Sequence, residues 1–371
     1  MAPLSVDLPW SNSTVSVSII DTTLALNGMP PENFIGPNIK GWDALNAVAY
    51  SFLVTHGDSN VLFDLGAPKN WAEDLPPSHV ADIQQLIEGG SVSLDTIDAA
   101  IWSHHHWDHI GRPSLFPSST ELILGPGTLE KFGAGWPVNE TSPYLAREFS
   151  CRIVTEIEFP EDAPRIGGLH AHDYFGDGSF YLLEASGHEY GQLNGLARVT
   201  TNPETYIYMG ADAYHHASQL RPSESIPLPQ SIDLYKAPMN VPNPLPAELL
   251  YPIHPASQDP DSLPPWAANL TSSTKTPFTT TSDDSPVQRM PAIARDVVSK
   301  LQAFDADERV FMVSAHDRSL HGIIEFFPKK ANDWKEKGWK EHGRWQFLTD
   351  FEDALGLGDC QAPTRRARRR T

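Results

Sequence analysis

Ser103-His104-His105-His106-Trp107-Asp108-His109 follows directly on the apolar, strand-like segment Ile97 to Trp102 and spells H-x-H-x-D-H. Imidazole nitrogen and carboxylate oxygen are the ligands a borderline-soft cation such as Zn²⁺ prefers. In an extended or sharply turning segment, His104 and His106 point to one side and can share one metal. Asp108 and His109 come after the turn and can reach a second metal beside the first. A single structural metal would more usually recruit cysteine, and this stretch has none. A chance polar cluster at a strand end would look similar. The rest of the chain has to supply the missing ligands if the motif is a metal site.

Working outward, the flanking segments read as a series of apolar strands. Val15 to Leu26 alternates as an edge strand would. Ala47 to Val54 and Val61 to Leu65 are two strands joined by the turn His56-Gly57-Asp58-Ser59-Asn60. The second delivers Asp64 and Gly66 to a loop. Val80 to Ile87 has helical spacing and is stopped by Gly89-Gly90. Three later strands each end on a side chain able to bind metal. Phe180 to Ala185 runs into Ser186-Gly187-His188, Tyr206 to Met209 into Gly210-Ala211-Asp212, and Val310 to Val313 into Ser314-Ala315-His316. One such strand tip means little, whereas four converging on ligand-type residues make a constellation.

Between Asp212 and His316 the pattern breaks. From Pro222 to Pro291 lie 15 of the chain's 33 prolines, among Ser/Thr clusters such as Thr271-Ser272-Ser273-Thr274. Proline at this density prevents regular helix or central strand. Residues 220–291 therefore read as a long insertion, either a lid over the site or an excursion on the flank. Ala292 to Phe304 resumes as a helix with Ile293, Val297, Val298 and Leu301 on one face.

Composition limits the partners. The 371 residues, 40% hydrophobic, suffice for one large domain or two ordinary ones. A net charge of −20 argues against nucleic acid and against anionic membrane surfaces. The run Arg365-Arg366-Ala367-Arg368-Arg369-Arg370 is a local exception and reads as a solvated tail. Two distant cysteines, Cys151 and Cys360, give no disulfide framework. Met1 to Trp10 lacks a signal-peptide pattern, and no segment approaches the roughly 18 apolar residues of a membrane span. A soluble, cytoplasmic protein is the expectation.

With these residues assembled, the chain resembles the metallo-β-lactamase-fold hydrolases, in particular the branch of acyl-homoserine lactonases and related fungal lactonase and lactamase proteins. The H-x-H-x-D-H motif matches in full, and His188, Asp212 and His316 occur in the family's order. The resemblance implies an αββα four-layer sandwich over residues 15–330, interrupted by the Pro-rich insertion, with 331–371 as a C-terminal extension. It implies two zinc ions per chain: His104, His106 and His188 on the first, Asp108, His109 and His316 on the second, and Asp212 bridging. Asp64 matches the aspartate that orients the histidine loop in this fold. His170 and His172 compete with His188, and His254 and His321 with His316; context and strand-tip position favour the latter of each contest. His105 is expected to point away from the metals.

One departure concerns substrate contact. Lactonases of this type carry tyrosine three residues after the bridging aspartate; here that position is His215, with Tyr214 one earlier. Either could polarise a scissile carbonyl. The expected chemistry is hydrolysis, by a water activated between two metals, of a small cyclic ester or amide, with Asp108 assisting proton transfer. A thioesterase acting on an acyl or polyketide thioester is the alternative, ahead of iron-dependent oxygen chemistry or a non-catalytic role. No G-x-S-x-G elbow points to a serine hydrolase.

Overall fold

In the computed structural model, residues 6–68, 94–133, 135–140, 142–257 and 263–357 are described. The helix expected at Val80 to Ile87 and the Arg-rich tail lie outside these residues. Among the described residues, twelve strands form two six-stranded mixed sheets. The first has the order β1 (Ser16–Met29), β2 (Leu45–His56), β3 (Ser59–Phe63), β4 (Ala99–Ile101), β5 (Glu121–Leu124), β6 (Val154–Glu156). β1 to β3 pair antiparallel, and β3 to β6 pair parallel. The second sheet is built from β7 (Arg165–Ile166), β8 (Leu169–Asp173), β9 (Phe180–Glu184), β10 (Leu193–Thr201), β11 (Glu204–Met209) and β14 (Val310–Val313). Its order is β14-β11-β10-β9-β8-β7, antiparallel except for the parallel pair β11 and β14.

The sheets bury against each other because alternate residues of each strand point to the same face. Val54, Val61, Phe63 and Ile101 of the first sheet meet Phe180, Leu182, Ile207 and Val313 of the second in one apolar cluster. The opposite faces are covered too. Residues Tyr181, Leu183, Tyr208 and Met312 pack under the helix α2 (Pro291–Ala306) through Val297, Leu301 and Phe304. The outer face of the first sheet packs on irregular chain and on the short helix α1 (Thr128–Phe132). This is the helix-sheet-sheet-helix layering expected from the sequence.

Two details depart from that reading. Ile293 was expected on the buried face of α2, but it is 47% exposed. The ligand loop approaches so closely that a Cβ on Gly187, whose φ is 151°, would stand 2.6 Å from Ala294 N. That contact makes Ala294 the inner residue of the first turn and leaves Ile293 outside. The chain after residue 330 is also no appendage. Ala331, Trp334 and Trp339, the last opening helix α3 (Trp339–Gly343), lie in the inter-sheet cluster, and Phe311 stacks on Trp334.

The Pro-rich insertion contains, among the described residues, 3₁₀ turns and the two-residue ribbon β12 (Ser231–Ile232) with β13 (Leu245–Pro246), and no α-helix before α2. It builds a separate apolar cluster, in which Leu228, Leu245, Leu250 and Phe278 pack on Ile35 and Trp42 and on Phe347 and Phe351. The insertion is thus packed against both the β1–β2 connection and the C-terminal segment.

Candidate metal centre

The pairing of strands determines where the histidine and aspartate side chains meet. β11 and β14 run parallel with Met209 opposite Val313, so Asp212 and His316, each three residues further on, leave the sheet edge side by side. Ala315 N donates to Ala211 O (3.1 Å) and fixes the two loops together. β4 ends at Ile101 beside Phe63, which places His104 next to the loop that carries Asp64. Leu193 N donates to Ser103 O at 2.8 Å, bridging the two sheets at the head of the histidine loop.

Asp64 holds that loop in shape. Its Oδ1 accepts from Ser103 N (2.7 Å), and its Oδ2 lies 2.8 Å from His109 Nδ1. The pairing leaves His109 Nε2 to face inward. Asp64 has a φ of 61°, a left-handed conformation rare outside glycine, so the surroundings hold it in a strained position. The loop closes where Gly111 packs on Leu65 without room for a Cβ, and Leu65 N donates to His109 O (2.8 Å).

All seven proposed metal-binding side chains come together in two groups. His104, His106, His188 and Asp212 offer donor atoms within 4.8 Å of one another, and so do Asp108, His109 and His316. Asp212 stands between them. Its Oδ1 is 3.0 Å from both His109 Nε2 and His316 Nε2, and its Oδ2 is 3.4 Å from His188 Nε2 and 3.8 Å from His104 Nε2. His188 Nε2 and His106 Nδ1 are 2.9 Å apart, and His316 Nε2 lies 3.5 Å from Asp108 Oδ2. With His316 Nδ1 donating to Val48 O at 2.7 Å, its Nε2 is left to face the other donors.

The electrostatics separate the two groups. Burial, reinforced by neighbouring imidazoles, pushes His104 well below the usual histidine range, and burial lowers His106 as well. Burial pushes His188 well down too, against the pull of Asp212. A lowered pKa favours the neutral imidazole, the form that binds metal. Burial also works against charge on His109 and His316. There the carboxylates outweigh it, holding His109 well above its usual value and pushing His316 up to about 9. Burial would raise Asp212, but His316 and His109 hold it well below the usual carboxylate range.

His104 Nε2, His109 Nε2 and Asp212 Oδ1 are buried and make no hydrogen bond of good geometry. Such atoms are costly unless partnered. Converging imidazole nitrogens and carboxylate oxygens are satisfied together by divalent cations, so the residues fit a metal pair.

The two candidate substrate contacts part company. His215 lines the cavity above Asp212, with Nε2 3.4 Å from Asp212 Oδ2 and its ring 5.3 Å from that of Phe34. Tyr214 does not reach the site. It is 1% exposed, lies with Tyr208 and Leu220 in the cluster under α2, and its carbonyl accepts from Ser314 Oγ at 2.8 Å. The chain turns at Ala211 (φ 41°), and only the residue three beyond Asp212 faces the opening. The rival histidines are elsewhere: His170 pairs with Glu184, His254 Nε2 lies 2.8 Å from Thr276 O, and His321 pairs with Asp21. His105 packs on the Phe132 ring at 3.9 Å.

Above the donor groups opens a cavity of about 360 Å³. Leu26, Met29, Phe34, Leu45, Ala47 and Val287 make its wall, with His106, Asp108, Asp212, His215 and His316 on its floor. None of the wall residues carried a signal in the sequence, because isolated apolar residues in strands and turns look like core. Glu189, 3% exposed beside His105 and His106, was also not anticipated.

A family model, that of the metallo-beta-lactamase superfamily, matches residues 47–181. The gamma-lactamase FDB1 of Fusarium pseudograminearum is 37% identical over 94% of this chain and 85% of its own length. The chain belongs to the metallo-beta-lactamase superfamily. The metallo-hydrolase mfmC of Annulohypoxylon moriforme is 38% identical over 95% of this chain and 92% of its own. Among solved structures, a quorum-quenching N-acyl homoserine lactone lactonase superposes with a TM-score of 0.54 at 13% identity, covering 86% of this chain and all of that one. At that identity the likeness concerns the fold. No described helix is long and apolar enough to cross a membrane.

Proposed function

We propose that this superfamily member is a two-zinc hydrolase that opens the lactone or lactam ring of a small, largely apolar molecule. One observation carries the reading: the carboxylate of Asp212 divides its two oxygens between two sets of donors on the floor of an apolar cavity. His104, His106 and His188 would hold the first metal, Asp108, His109 and His316 the second, with Asp212 shared. Metals so held supply a Lewis acid for the carbonyl and a water acidic enough to attack it at neutral pH. The name of the gamma-lactamase relative supports a ring amide as substrate, and that of the metallo-hydrolase a metal-dependent hydrolysis.

The protein's own groups do the rest. The apolar wall takes the body of the substrate and keeps bulk water from the floor, where electrostatic interactions are correspondingly stronger. His215 Nε2 is buried, makes no hydrogen bond and faces the cavity. It takes the place that the resemblance assigns to a tyrosine, as a donor to the scissile carbonyl or to the departing heteroatom. Asp108 reaches the cavity too and is the carboxylate able to carry a proton to a leaving amine or alkoxide.

The test is a panel of lactones, lactams and acyl thioesters assayed alongside metal analysis. Two zinc ions per chain with turnover of a cyclic ester or amide is the expected result. Cleavage of thioesters with no ring opening after zinc reconstitution rejects the substrate class, and iron in place of zinc rejects the metal.

A further inference from the structure

His106 faces the site through Nδ1, 2.9 Å from His188 Nε2. If Nδ1 gives its lone pair to a metal, the one proton of the neutral ring sits on Nε2. That edge of the ring looks at Glu189, whose Oε2 lies 3.8 Å from His106 Nε2. The Glu189 side chain is 3% exposed, so an unpaired charge there would be costly. Its charge is balanced on the far side: Arg289 Nε donates to Oε1 at 3.2 Å and to Oε2 at 3.3 Å, and Tyr190 N donates to Oε1 at 3.0 Å. Arg289 is itself fixed to the ligand loop, since Arg289 N donates to His188 O and Met290 N to Gly187 O, both at 2.9 Å.

We infer that Glu189 is a positioning residue for the first metal: it accepts the Nε2 proton of His106 and thereby fixes the tautomer and strengthens Nδ1 as a ligand. The 3.8 Å separation is one that a single water bridges, or a small rotation of either side chain closes. Carboxylates behind metal-bound histidines act in this way, and losing one typically lowers metal affinity by about 10–100-fold. A separate cation held by His105, His106 and Glu189, whose donor atoms also lie within 4.8 Å of one another, is the competing use of the same atoms. The Arg289 guanidinium beside the carboxylate opposes it, because a cation entering there meets a positive charge already in place.

The inference rests on the two-metal reading, and one titration tests both. Full-length protein stripped of metal is titrated with Zn²⁺ against a chromophoric chelator, and with Co²⁺ by visible absorption. Wild type should take up two equivalents. Glu189→Gln, which keeps the shape and removes the charge, should bind one equivalent about 10–100-fold more weakly and shift the cobalt spectrum. Its metal-free melting temperature should match wild type. Should Glu189→Gln fail to fold, nitrogen-15 NMR of the histidines in zinc-loaded wild type gives the same answer: His106 must carry its proton on Nε2. A proton on Nδ1 overturns the inference, as does unchanged affinity with an unchanged cobalt spectrum. So does a third zinc equivalent that disappears with Glu189→Gln. Wild type that binds no zinc overturns the two-metal reading and this inference together, whereas normal wild-type binding with an unaffected variant overturns this inference alone.

Discussion

The floor and the wall of the cavity are built on opposite principles. The floor is a set of strand tips from both sheets, with donor rings held by second hydrogen bonds: Asp64 behind His109, and Val48 O behind His316. The wall comes from the end of β1, the start of β2, the turn between them and the last part of the insertion, and consists of apolar side chains held by packing. β1 itself is irregular there, with shifts of register between Asp21 and Ala25 and between Leu26 and Met29. A floor of this kind fixes a reaction, because ligand geometry tolerates little displacement. A wall of this kind fixes which molecule is presented to it, since apolar contacts are additive, undirected and easily exchanged.

The largest break in that comparison comes from Asp212. Asp212→Asn keeps the shape but removes the charge both donor groups share, and with it the largest electrostatic support for positive charge on His109 and His316. Turnover should fall to background and metal content below two per chain, measured on the same preparation. Retention of both metals with substantial activity would show that the shared carboxylate is not the organising element. Asp64→Asn is the next largest. It touches no metal itself, and the expected loss is about 10–100-fold in activity or affinity, with the cavity wall and the KM unaltered.

A third effect distinguishes the two halves of the floor by pH. Without metal, His316 holds its proton up to about 9 rather than 6.5. A metal must displace that proton at any lower pH, so affinity at the Asp108–His109–His316 position should rise with pH. His109, held well above its usual value too, must also give up its proton there, so the rise is about tenfold per pH unit for each proton displaced, and the part owed to His316 should level off near pH 9. Zinc competition measured at three pH values between neutrality and 9 reads this directly. A profile already flat at neutrality would mean that His316 is not held charged by Asp212.

The same contrast explains what the amino-acid sequence disclosed. The floor was legible because chemistry constrains residue type and spacing together: H-x-H-x-D-H is contiguous, and His188, Asp212 and His316 each follow an apolar run. The two-sheet fold came from the resemblance that these residues carry and not from the runs themselves. Tyr214 was misread as a possible substrate contact because sequence position cannot show which of two neighbours faces the cavity. The turn at Ala211 decides it for His215. Trp334 and Phe351 read as an extension because burial across hundreds of residues leaves no local signature. Glu189 follows His188, a donor singled out in the sequence, yet nothing in its spacing tells of Arg289, one hundred positions away.

The smallest effect tests the wall at Val287, its one contribution from the described residues of the Pro-rich insertion. Val287 lines the cavity, although the insertion's other apolar residues mostly pack into their own cluster with the β1–β2 connection and the C-terminal segment. Removing two methyl groups in Val287→Ala sacrifices part of one apolar contact. At about 0.8 kcal/mol per buried carbon, only partly covered by substrate, this amounts to roughly 1 kcal/mol, or about fivefold in KM. The donors on the floor are untouched, so kcat should stay within about twofold, the pattern of a contact equally strong in ground and transition states. Val287→Phe should instead reorder the preference among substrates of different size at constant metal content. If Val287→Ala lowered kcat and left KM alone, the insertion would be supporting the floor rather than shaping the wall, and the division between the two would have to be redrawn along the Arg289–Glu189 contact.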